Sequence, residues 1–169
     1  MTRQRESLAR LVPVLCGKYP GCGILVFGSV GRGEERPDSD LDVMVVHGGE
    51  GELELILGSP LGEAGLSLDL AVFPEAALLR LAATRWLVFW EFSQAQIVHD
   101  PTGIARRNQA RIRERFKARP EAAAVWGELM AAVSRSKRER GVTLPYGGRT
   151  GVEGYLERMI ADKGRSSDA

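Results

Sequence analysis

The run Asp40-Leu41-Asp42-Val43-Met44-Val45-Val46 sets two carboxylates, one residue apart, at the head of continuous hydrocarbon. A short apolar run bounded by polar residues reads as a buried strand. Residues i and i+2 of a strand share a face. Asp40 and Asp42 are therefore expected side by side at the entrance to a strand over Leu41–Val46, where like charges repel unless something intervenes. The pair alone leaves two readings open: a solvated turn, or a divalent metal site built from hard oxygen donors. Asp69 repeats the problem inside "LSLDLAVF", Leu66 to Phe73. Ser67 and Ala71 share its side of that strand, while Leu68 and Leu70 point the other way. A buried, unpaired aspartate is expensive. If the two strands are neighbours, Asp69 completes a triad with Asp40 and Asp42; on an edge, it is simply solvated.

Upstream, "ILVF" (Ile24–Phe27) is another short apolar run and is expected as a strand, with Gly28-Ser29 directly behind it. Gly28 permits close approach of the backbone to a ligand. Ser29 offers a hydroxyl and can start a helix whose free N–H groups face an anion. Arg32 follows one turn on, and Gly33 lets the chain bend back. Together with the carboxylate pair, this stretch has the parts of a cradle for a triphosphate and its metal.

The remaining pattern places the site within the chain. Leu8, Leu11, Val12 and Leu15 recur at helical spacing, so Arg3–Cys16 is expected as an amphipathic helix. After Pro74 a long apolar helix is expected from Glu75 to about Trp90. Trp86, Phe89 and Trp90 at 3–4 spacing read as core rather than as a base-stacking platform. "AQIVHD" is a further short strand, with Asp100 as helix N-cap and Pro101 at the first helical position. Ile104, Asn108, Ile112 and Phe116 share one helical face. A helix from Pro120, a Gly-rich loop and a short final helix complete the pattern. Strands with interleaved helices, then helices, define an α/β or α+β core with a helical extension. The expected division is 1–104 and 105–169.

Charge is uneven along the 169 residues: residues 1–100 hold 8 Lys+Arg against 14 Asp+Glu, and residues 101–169 hold 15 against 8. The acidic part suits a metal, and the basic part suits a solvated helix face, a triphosphate or a protein partner. Arg106, Arg107, Arg111, Arg113 and Arg115 have few aromatics among them, which argues against nucleic acid. No apolar segment is long enough to span a membrane. The N-terminus lacks a signal peptide's apolar core and cleavage site. Cys16 and Cys22 lack metal-site spacing and are expected as reduced thilos of a cytoplasmic protein. His47 and His99 are expected to be structural.

"GSVGRGEERPDSDLDVMVV", Gly28 to Val46, resembles the signature of the nucleotidyltransferase superfamily that includes DNA polymerase β. In style it is closest to the small nucleotidyltransferases of prokaryotes and to the aminoglycoside and lincosamide adenylyltransferases. The resemblance is strong over Ile24–Val46 and extends to Asp69, which falls where the family's third carboxylate lies. "IVHDPTG" is similar to a segment found after the core in such proteins, with His99 where tyrosine is usual. Beyond about residue 105 the resemblance ends.

The resemblance implies a small mixed sheet flanked by helices, and Mg²⁺-dependent transfer of a nucleoside monophosphate from a triphosphate. AMP from ATP is the expectation by analogy, and the acceptor is a hydroxyl on a small molecule or a partner protein. Carried onto this chain, Gly28 and Ser29 would hold the β- and γ-phosphates. Asp40 and Asp42 would bind both of two metal ions, and Asp69 the catalytic one, helping to deprotonate the acceptor. Arg32 would neutralise phosphate charge or pair with Glu34 or Glu35. The alternative is a nucleotide-binding, antitoxin-like module with little turnover. The short tail argues against a complete antibiotic-modifying enzyme, and nothing in the chain reads as a template-binding domain.

Overall fold

The computed structural model of the protein describes residues 2–61, 66–84, 89–121 and 124. The segment around Trp86, most of the helix expected from Pro120, the Gly-rich loop and the final helix lie outside these residues.

The first helix, α1 (Arg3–Lys18), is capped by Thr2, whose side chain accepts the Arg5 N–H, and carries Glu6 in its first turn. Both features suit the donor-rich end of a helix. Leu15 is buried, and Leu8, Leu11 and Val12 pack partly buried beside it. The stripe begins one turn earlier than the leucines suggest, because Gln4 is also buried. Then come β1 (Gly23–Val26), the short α2 (Gly28–Arg32) and β2 (Leu41–His47). Next are β3 (Glu54–Leu61), β4 (Leu66–Pro74) and α3 (Glu75–Thr84), followed by α4 (Trp90–Gln94), β5 (Gln96–His99) and α5 (Ile104–Lys117).

The strands form one sheet in the order β3-β4-β2-β1-β5, with β2 and β4 parallel and the other pairs antiparallel. Strand alternation sends the two faces into separate cores. Leu41, Val43, Val45, Leu68, Leu70 and Val72 pack with Leu15 and Val30 under α1 and α2. Met44, Val46, Ala71 and Phe73 pack with Leu78, Phe92, Ile104, Ile112 and Phe116 under α3, α4 and α5. Phe92, Leu41 and Leu78 are fully buried. The result is a mixed sheet between two helical layers, as the sequence leads one to expect.

Two details differ from the sequence reading. The edge strand β3 is additional; its composition, with Gly58 and Pro60 inside it, hides it. The helix expected from Glu75 to about Trp90 is described over α3, and residues 85–88 lie outside the described residues. Phe89 is buried and Trp90 packs partly buried edge-on against Phe116, so both serve the core. Finally, Asp100 is not the N-cap residue. Gly103 occupies that position, and the Asp100 carboxylate reaches over Pro101 to accept the N–H groups of Ala105 and Arg106 at 3.1 and 3.0 Å. The function of a cap is kept, from farther away. As expected, Ile104, Asn108, Ile112 and Phe116 line the buried face of α5.

Candidate active site

The register between β2 and β4 decides what the acidic residues can do. Asp42 pairs with Asp69, Met44 with Ala71 and Val46 with Phe73. All three rows lie on the sheet face covered by α3, α4 and α5. Neighbouring strands stand about 4.8 Å apart. The Asp42 and Asp69 carboxylates are therefore carried abreast, on one face, by rigid central strands. Both are partly exposed, whereas the next two rows are closed hydrocarbon. Asp40 lies before β2 and is exposed. Among the described residues no group of three or more His, Cys, Asp or Glu side chains is close enough together to hold a metal ion. Asp42 and Asp69 thus share a row, and Asp40 lies two residues before Asp42, ahead of the strand.

Gly28 explains itself at this site. Its φ is +63°, a conformation that L side chains rarely adopt. A Cβ placed there would run into the Asp42 carboxylate. The turn that ends β1 is thereby pressed against the acid of β2, and the Phe27 N–H donates to the Asp42 carbonyl at 3.1 Å. Ser29 lies in the first turn of α2, half-buried, and its carbonyl accepts the Glu34 N–H at 2.8 Å. Arg32 closes α2 and pairs with Glu34, Nε to Oε2 at 2.9 Å. That pair is mostly exposed, so it holds Arg32 weakly against a competing anion.

Two contributors escape the sequence reading. The β3–β4 ladder slips between Ile56 and Ser59, so Leu57 and Gly58 face the single residue Asp69. Gly58, with φ +62°, turns its N–H onto Asp69 Oδ1 at 2.7 Å. A backbone N–H on a carboxylate fixes its rotamer. The only sequence signal is a glycine interrupting an apolar run. The second contributor is the first turn of α1. Gln4 Nε2 donates to the carbonyls of Arg36 and Ser39 at 2.7 and 3.0 Å, with Pro37 O at 3.4 Å. Arg5 Nε meets Glu35 Oε1 at 2.7 Å, and this bond, with the Thr2 hydroxyl, draws the Glu35 carboxyl down to about 2. Gln4 stands at helical spacing from Leu8, Leu11 and Leu15, the signal that could have found it.

His47 lies at the opposite end of β2 from Asp42. It stacks on Tyr19 with ring centroids 4.9 Å apart, and its Nδ1 accepts the Gly49 N–H. Burial lowers its pKa, with Glu54 opposing. Cys16 and Cys22 are free thiols, and burial, then Cys16, pushes Cys22 up to about 11.

A mixed sheet between helical layers, with a glycine turn pressed against an acidic strand, is the architecture of a nucleotidyl-transfer domain. Residues 8–91 match the family model of the nucleotidyltransferase domain, and the chain belongs to that family. Nucleotidyl transfer from a nucleoside triphosphate is its general activity. No curated protein matches the chain. No helix among the described residues is long and apolar enough to cross a membrane.

Proposed function

We propose that the protein is a Mg²⁺-dependent enzyme that moves a nucleoside monophosphate, AMP by analogy with its small relatives, from a triphosphate to an acceptor hydroxyl. The observation that carries this reading is the Asp42–Asp69 row with Gly28 against it. Two carboxylates one strand spacing apart, in partial exposure, form a donor set that suits a hard divalent cation and is unfavourable without one. Asp42 and Asp69 would hold the metal, with Asp40 joining from the segment before β2. When bound, Mg²⁺ supplies charge stabilisation at the oxygens of an in-line displacement.

The chain's own residues divide the remaining work. Gly28 and Ser29 present backbone N–H groups and a hydroxyl to the β- and γ-phosphates. Arg32 adds positive charge if it leaves Glu34. The acceptor oxygen attacks the α-phosphorus, the bond to the β-phosphate oxygen breaks, and pyrophosphate departs. Asp69 takes the hydroxyl proton or orients the group that loses it. The Gly58 N–H on Asp69 Oδ1 fixes the direction in which this carboxylate points. The acceptor is a small molecule or a partner protein, and the free thiols suit a cytoplasmic setting.

A second reading, a nucleotide-binding module with little turnover, draws on one observation: among the described residues no three His, Cys, Asp or Glu side chains are close enough together to hold a metal ion. Incubation with Mg²⁺ and each labelled triphosphate, alone and with cell extract, separates the two. Label transfer or pyrophosphate release by the wild type, lost in Asp42→Asn, supports the enzyme. Binding of nucleotide without transfer supports the module, and absence of binding overturns both.

A further inference from the structure

The segment 33–40 joins α2 to β2, and so joins the proposed phosphate turn to the proposed metal-binding acids. Within itself it makes a tight turn. The Ser39 N–H donates to the Arg36 carbonyl at 3.0 Å, and the Arg36 N–H to Ser39 Oγ at 2.9 Å. Its other ties run to the first turn of α1. Gln4, 1% exposed, spends its amide group on three carbonyls of this segment. Arg5 binds both oxygens of Glu35, at 2.7 and 3.4 Å, and the Val30 carbonyl of α2 at 3.2 Å. The Thr2 hydroxyl adds a third contact to Glu35 at 2.9 Å. The Glu35 side chain is only 5% exposed.

A buried amide is costly unless every polar group finds a partner, so this arrangement is held in one geometry or not at all. One guanidinium bridges α2 and the segment, and one amide fixes the turn that leads into Asp40. The distance between the phosphate turn and the acids is therefore set in part from α1, whose Arg5 holds the Val30 carbonyl of α2 and whose Gln4 holds the turn before Asp40.

We propose that Gln4 and the Arg5–Glu35 pair are positioning residues for nucleotidyl transfer, holding α2 and the strand entrance at their working separation. The proposal rests on the function proposed above. A merely structural role is the competing explanation, and the molecule carries its own control. Gln109 is also buried, 4% exposed, and also donates Nε2 to two carbonyls, those of Phe92 and Ala95 at 3.0 and 2.8 Å, on the other face of the sheet.

The experiment compares Gln4→Ala with Gln109→Ala in the full chain, measuring melting temperature, kcat, KM for the triphosphate and the Mg²⁺ concentration giving half-maximal rate. Both variants should melt earlier by a similar amount. Gln4→Ala alone should lose about 10- to 100-fold in kcat, the scale expected of misplaced reacting groups. It should also need several-fold more Mg²⁺. Arg5→Ala and Glu35→Gln should each lower kcat, and the double variant should be no worse than the poorer single one. Equal kcat loss in the two glutamine variants, or none in Gln4→Ala, overturns the inference while leaving an active wild type. A wild type without transfer overturns the function itself.

Discussion

Of three successive rows of the same two strands, two are hydrocarbon and one is acidic. Met44–Ala71 and Val46–Phe73 are sealed beneath α3, α4 and α5, while Asp42–Asp69, one step along, stays partly open. Strand spacing, sheet face and backbone ladder are common to all three. The closed rows show what the sheet does for stability: it presents hydrocarbon in register to a helical layer. The acidic row shows what it does for chemistry: the same register brings together two charges that would otherwise separate.

Breaking each row should therefore damage a different property. Asp42→Asn should lower transfer by about 10²- to 10³-fold, the scale of losing one preorganised electrostatic contact. Its melting temperature should hold or rise, because a like-charge pair has been relieved. Phe73→Ala should do the reverse, costing about 3–5 kcal/mol of stability by chemical denaturation. The protein that remains folded should bind Mg²⁺ and nucleotide as before. Finding Asp42→Asn destabilised by as much as Phe73→Ala would erase the distinction between the rows.

Two smaller effects sharpen the comparison. Gly28→Ala should cost about 1–2 kcal/mol from its left-handed backbone, and should also lower activity through its clash with Asp42. A stable, fully active Gly28→Ala would mean that the turn is not pressed against the acid during turnover. The smallest effect is on pH. Glu35 is drawn to about 2 by Arg5, below its ordinary value of 4.5. A depressed carboxyl contributes stability above its unfolded value and loses it as pH falls through the folded one. Acid titration of wild type against Glu35→Gln should show the wild type's small advantage fading between about pH 5 and 2. Parallel curves would remove Glu35 from the acid response.

Much of this molecule is legible in its sequence, for physical reasons. The strands β1, β2 and β4 stand out because central strands bury both faces and so read as unbroken hydrocarbon. The expected site residues Gly28, Asp42 and Asp69 stand out because each is the wrong residue for ordinary strand packing. Register is less accessible, since pairing Asp42 with Asp69 depends on which strands become neighbours, and no local pattern carries that. Gly58 and Gln4 are harder still. Their contributions come from a slipped ladder and from a side chain reaching across more than 30 positions, and both look locally like ordinary turn and helix residues. The Arg32 pairing is intermediate: Glu34 and Glu35 are both candidates by proximity, and only the fold gives Glu34 to Arg32 and Glu35 to Arg5.

The slip in β3 also protects the molecule from its own kind. This strand ends the sheet among the described residues and exposes Leu55, Ile56 and Leu57 at 42%, 42% and 70%. A greasy open border of that sort invites a second chain to zip alongside and seed aggregates. A stranger laid against it could keep step only from Glu54 to Ile56. It would then meet the bulge at Leu57 and Gly58, and beyond that Pro60, which has no N–H to share. The irregularity that aims a hydrogen bond at Asp69 thus also interrupts the border, and straightening it by deleting Gly58 should make the protein prone to precipitate.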